Sequence, residues 1–100
     1  MQYYGAAELD RFEWDPVKAD TNFEKHGISF DEIVDLYRDP DRITFDNTRP
    51  SDKEIRFRTV GWSAGRMITA ICTVRGNRIR VISIRRTRDD ERRRYRANQS

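Results

Sequence analysis

The hydrophobic positions change period along the chain, and those changes divide it into elements. Between Pro16 and His26, Ala19, Phe23 and His26 recur at i, i+4 and i+7 with Val17 beside them, which predicts an amphipathic helix with that face buried. Asp15 suits the N-cap and Pro16 the first helical position. Lys25-His26-Gly27 closes the helix with two basic groups at its negative end and a glycine for a left-handed C′. A second helix follows at once. Ser29-Phe30-Asp31-Glu32 reads as a capping box, Ile28 as a staple against Ile33, and Phe30, Ile33, Val34 and Tyr37 as the buried stripe, which Asp39-Pro40 ends.

Elsewhere the period is two. Phe12-Glu13-Trp14, ahead of the helices, reads as a short edge strand. Arg42 to Asp46 alternates around Ile43 and Phe45, and Asn47 to Lys53, polar and holding Pro50, is a loop. Glu54 to Trp62 and Arg66 to Val74 are strands joined by Ser63-Ala64-Gly65, the second with Ile68, Ala70, Cys72 and Val74 on one face. Arg75-Gly76-Asn77 turns into a strand from Arg78 to Arg86. Strict alternation puts Arg80, Ile82, Ile84 and Arg86 on one of its faces and Ile79, Val81, Ser83 and Arg85 on the other. Its apolar middle predicts a central strand covered on both sides, with guanidiniums at its margins. Thr87 caps a last helix that carries Asp89, Asp90 and Glu91 in its first turn. Residues 1–11, with Tyr3-Tyr4-Gly5, form a loose lead-in. This order predicts one α+β domain: two N-terminal helices and one C-terminal helix packed on one face of a small antiparallel sheet.

The charge pattern adds a polarity. Residues 1–30 sum to −3, residues 31–74 to −1 and residues 75–100, with ten arginines, to +7. A basic C-terminal third implies a polyanionic partner, nucleic acid or an acidic protein. One cysteine, Cys72, excludes an internal disulfide, and one cysteine with one histidine makes a Cys/His zinc site implausible; no metal and no cofactor are expected. The lack of a signal-peptide pattern and the single cysteine fit the cytoplasm. Three sets of residues could carry chemistry. Lys25-His26 ends a helix, where the dipole should raise the histidine pKa. Glu54 and Arg56 should share a strand face. Arg80, Arg85 and Arg86, with Ser83 among them, would hold cations rigidly for a phosphate.

The spacing Phe12-Glu13-Trp14-Asp15-Pro16-x-Lys18, Asn22-x-x-Lys25-His26-Gly27-Ile28-x-Phe30, Glu54-x-Arg56, Gly61, and Ile79-Arg80-Val81-Ile82-Ser83-Ile84-Arg85-Arg86 followed by Glu91 and Tyr95 resembles the BrnT toxins of BrnT/BrnA type II toxin–antitoxin modules. Ile84 stands where that family usually has alanine, a packing change. The resemblance implies a RelE-like fold and a cytoplasmic ribonuclease toxin that cleaves RNA and inhibits translation. It also implies a BrnA-like ribbon-helix-helix antitoxin, a two-plus-two complex with it, and operator DNA bound through it. Metal-independent cleavage would need a base (Glu54 or His26), an acid or positioning group (His26, Lys25 or Tyr95) and cations on the phosphorane (Arg80 and Arg85). Arg56, Ser83, Arg86 and Arg88 would line the RNA path. The rival is a non-catalytic nucleic-acid- or antitoxin-binding module using the same basic surface.

Overall fold

In the computed structural model, which describes residues 6–99, nine elements follow one another. They are α1 (Ala6–Leu9), β1 (Phe12–Glu13), α2 (Pro16–His26), α3 (Glu32–Tyr37), β2 (Ile43–Asp46), β3 (Arg56–Ser63), β4 (Arg66–Arg75), β5 (Arg78–Arg86) and α4 (Asp89–Ala97). The strands form one sheet in the order β1-β5-β4-β3-β2. The sheet is mixed rather than antiparallel, because β1 pairs with β5 in parallel through Phe12↔Ile79 and Glu13↔Arg80. The lead-in is partly structured: α1 occupies 6–9, while Tyr3, Tyr4 and Gly5 lie outside the described residues. The β3–β4 hairpin turns on Ala64 (φ 51°) and Gly65 (φ 77°), both positive as a two-residue type I′ turn requires.

Helices cover both faces. On one, Ile28, Phe30, Ile33, Val34 and Leu36 pack with Phe12, Ile68, Ala70, Cys72, Val81 and Ile84 into the main core. On the other, Tyr95 of α4 packs with Val60 and Met67, bordered by Ile43 and Phe45. The expectation of helices on a single face therefore fails for α4. The central strand is β4, not β5, and Val74 at its end is exposed.

The caps of α2 fall where the sequence puts them. Asp15 Oδ1 accepts the Val17 N–H at 2.9 Å, and Gly27, at φ 70°, returns its N–H to the Phe23 carbonyl. Its buried face is different. Val17 is 72% and Phe23 56% exposed, whereas Asn22 is buried. The reason is the edge of β5. Beyond the two-residue β1, Ile84 would present an unpaired N–H and C=O. Asn22 takes both: its Nδ2 donates to the Ile84 carbonyl at 2.8 Å and its Oδ1 accepts the Ile84 N–H at 3.2 Å. The same amide donates to the Ile28 carbonyl and accepts from the Ser83 hydroxyl. A side-chain amide thus stands in for the next strand, and satisfying those backbone groups outweighs burying one more aromatic ring.

Two other helix starts differ from expectation. Asp31, not Ser29, is the N-cap of α3, and no side chain bonds there. Glu32 instead reaches across to the Ser63 hydroxyl and Arg66. Arg88, not Thr87, is the N-cap of α4, because the Thr87 hydroxyl is engaged with Thr69.

Asn22→Ala should leave the Ile84 N–H and C=O unpaired and cost about 2–6 kcal/mol, one to three per stranded group. Chemical denaturation of the variant checks this; a loss within a few tenths of a kcal/mol would mean that water replaces the amide.

Candidate functional site

A β-bulge decides which arginines share a face. Along the β4–β5 ladder Ile71 pairs with Ser83, yet the next residue, Cys72, pairs with Val81, so Ile82 is an extra residue in β5. One inserted residue inverts the alternation beyond it. Arg80 and Arg85, which strict alternation separates, consequently share a face with Ser83. Cross-strand rows extend that face: Arg56 and Arg80 flank Thr73, Arg58 and Ser83 flank Ile71, and Val60 and Arg85 flank Thr69. Ile84 and Arg86 turn to the other side, where Ile84 fills the main core. The result is a sheet face bearing four arginines, with α4 crossing one end of it.

Beneath α4 lies Glu91, fully buried. Its carboxylate accepts five hydrogen bonds: two from Arg85 (2.8 and 2.9 Å) and one each from Arg58 (2.8 Å), the Thr69 hydroxyl (3.0 Å) and the Arg88 amide (2.9 Å). Burial opposes the charge, but the Arg85 and Arg88 donors prevail and hold its pKa at about 2. Arg85 is thus fixed by a bidentate pair. Three of its five N–H bonds are used, two on Glu91 and one on the Arg86 carbonyl, which leaves two for another acceptor. Arg80 is held at 2.9 Å by Glu13, and Arg56 lies 3.7 Å from Asp52. Arg56, Arg58 and Arg92 each keep a buried Nε–H with no partner among the described residues.

His26 ends α2 at the β5 edge. Its pKa is lowered from the usual 6.5, first by burial, then by the cations of Lys25 and Arg85. This corrects the expectation that the helix dipole would raise it: two positive charges and partial burial outweigh half a charge on a helix end. The lowered pKa favours the neutral imidazole, the form able to accept a proton. Lys25 beside it is exposed.

The remaining candidates lie elsewhere. Glu54 precedes β3 rather than sharing its face with Arg56. Arg56 pairs with Thr73 and Arg85 with Thr69, so four strand positions, about 13 Å, separate the Glu54 end of the sheet from the His26–Arg85 end. Tyr95 is buried, and its hydroxyl donates to Asp39 Oδ2 at 2.8 Å. Burial and that carboxylate push its pKa up to about 12. Ser83 donates to Asn22, while Arg86 and Arg88 are exposed. Glu91 and Asn22 are the residues that chain-order reasoning passed over. The signal for Glu91 was an acidic residue six positions after Arg85; only the fold turns it inward. Among the described residues no three His, Cys, Asp or Glu side chains group as metal ligands.

A protein-family model matches residues 14–91, more than half of the chain; its description is a ribonuclease toxin, BrnT, of a type II toxin–antitoxin system. No curated protein matches the chain.

Because the pKa of Glu91 lies below its unfolded value of 4.5, its contribution to stability is complete above that value and is lost as pH falls towards about 2. The shift corresponds to roughly 3 kcal/mol. Glu91→Gln should lower stability at pH 7 by about 3–5 kcal/mol, as expected for breaking a buried pair, and should flatten the loss between pH 4.5 and 2. Denaturant titrations across that window check both; an unchanged acid transition in the variant would show that other carboxylates set it.

Proposed function

The chain belongs to the BrnT family of ribonuclease toxins of type II toxin–antitoxin systems, and from that premise we propose that it is a metal-independent endoribonuclease whose site is the junction of α2 with β5. The observation that carries this reading is His26, its pKa lowered in part by the Arg85 cation, at the α2–β5 junction beside a sheet face that also bears Arg58, Arg56 and Arg80. In the reaction, His26 accepts the proton of the 2′-hydroxyl as that oxygen attacks phosphorus. Arg85 uses its two remaining N–H groups to stabilise the phosphorane charge, and Arg80, in the Thr73 row four strand positions away, binds a neighbouring phosphate. The P–O5′ bond breaks, and the departing oxygen takes its proton from Lys25 or water. Tyr95, with a raised pKa and its proton held on Asp39, serves as a strut rather than an acid. Glu54 is too far from His26 to share its step. Arg86 and Arg88, exposed at the end of β5, guide the RNA, and the hydroxyl of Ser83 fixes the α2–β5 junction. Two helices followed by an antiparallel meander support a RelE-like grouping.

Acting on cytoplasmic RNA, such an enzyme inhibits translation. A BrnA-like ribbon-helix-helix antitoxin would hold it in check as a two-plus-two complex and place it on operator DNA. No helix among the described residues is long and apolar enough to cross a membrane. One observation favours a binding module instead: Arg58, Arg80 and Arg85 are each already paired with a carboxylate. Strand scission that single substitutions abolish, with folding and RNA binding intact, separates the two readings.

Cleavage of bare RNA should fall about 10²-fold or more in His26→Ala and lose about 2–4 kcal/mol of transition-state stabilisation in Arg85→Ala, with a smaller loss in Arg80→Ala. A base must be unprotonated, so the rate should fall as pH drops through a value below 6.5. His26→Lys, charged at neutral pH, should then fail to rescue. Rescue by lysine would make His26 a cation and not a base. Cleavage should persist in EDTA; a chelator that stops it, with zinc or magnesium restoring it, would overturn metal independence.

A further inference from the structure

Most arginines of the sheet face are neutralised by the protein itself, and that makes two others conspicuous. At the outer edge of β2, Arg42, Ile43, Thr44, Phe45, Arg94 and Asn98 line an open pocket. The Arg94 guanidinium lies 3.9 Å from the centre of the Phe45 ring, and that of Arg42 lies 4.9 Å from the Tyr37 ring. Arg42 is tethered further through a hydrogen bond to the Asp39 carbonyl. Neither forms an ion pair with a carboxylate among the described residues, in contrast to Arg58, Arg80 and Arg85. Stacking holds a guanidinium in a plane without consuming its charge, and leaves its N–H edge free for a phosphate.

The pocket is continuous with the proposed site. Phe45 pairs across the strands with Arg58, whose guanidinium lies 4.3 Å from the same ring and donates to Glu91, the carboxylate that fixes Arg85. From β2 to β5 is three strand spacings, about 14 Å. A polyanionic strand seated on Arg85 therefore reaches Arg94 along this face, and Arg42, stacked on the Tyr37 side, by rounding the β2 edge.

We infer that the β2-edge pocket is a second phosphate subsite, in which Arg42 and Arg94 grip the RNA backbone away from the scissile bond. The inference rests on the ribonuclease reading and names where the substrate strand leaves the site. It extends recognition to a surface built by β2 and the last turn of α4, which the chemistry of cleavage does not require.

The test uses a 2′-O-methyl RNA oligonucleotide, which cannot be cleaved, with the full chain. Arg42→Gln and Arg94→Gln should each weaken binding about 3- to 10-fold at low salt and reduce the slope of log K against log salt by about 0.7, the share of one phosphate on a single strand. If either variant melts early, the wild-type protein supplies a second readout: the amide resonances of Thr44 and Asn98 should shift when the RNA is added. Unchanged affinity and slope in well-folded variants, or resonances that stay put, overturn the subsite. So does normal RNA binding with loss of binding to an acidic antitoxin peptide, which would give the pocket to the antitoxin. Wild-type protein that neither binds nor cuts RNA sinks the ribonuclease reading itself; wild type that cuts while both variants bind normally sinks the subsite alone.

Discussion

A carboxylate with no exposure to water and five donors around it organises this molecule. Glu91 ties the first turn of α4 to β4 through Thr69, to β3 through Arg58 and to β5 through Arg85. Placing the last helix and aiming the arginines of the sheet are consequently one event. A buried ion pair is seldom a net source of stability against an apolar alternative, because desolvation consumes most of the Coulombic gain. What it supplies here is position. Two long, entropy-rich side chains are held on strands at fixed points, which is what stabilising a developing negative charge requires.

The same accounting changes the meaning of the charge gradient along the chain. A tail of +7 after an acidic front suggests a bare cationic surface. In the fold the acidic front meets the basic tail at Asp10–Arg78 and Glu13–Arg80, Glu91 within the tail answers Arg85 and Arg58, and Glu32 answers Arg66. Segregation in sequence becomes compensation in space. The positive potential that remains belongs to exposed arginines such as Arg86 and Arg88 and to the stacked pair at the β2 edge. The sheet arginines present donors with much of their charge already answered.

What the sequence disclosed was whatever depends on near neighbours. Asp15-Pro16, Gly27 and Ala64-Gly65 were readable as cap, stop and turn because their conformations are local necessities. The hairpin order of β3, β4 and β5 followed from the same turns. What stayed hidden depends on partners far along the chain. Asn22 was not among the residues assigned to the buried face of α2, and only the unpaired edge at Ile84, 62 residues on, makes it a core residue. Ile82 looked like one more member of an alternating strand, and no local feature marks it as the inserted residue that brings Arg80 and Arg85 to one face. Alternation put Arg80 and Arg85 on opposite sides of β5, and the bulge puts them on one.

The amide that closes the β5 edge has a bearing on how the chain behaves when it is not fully folded. Only two residues of β1 guard that edge, and a single side chain on α2 covers the next exposed backbone pair. A momentary detachment of α2 would therefore uncover apolar, β-branched strand backbone with donors and acceptors unpaired, a template for strand addition between copies. Guarding against self-association during synthesis thus falls to one helix and one asparagine, near the start of the chain and made long before the strand they must cover.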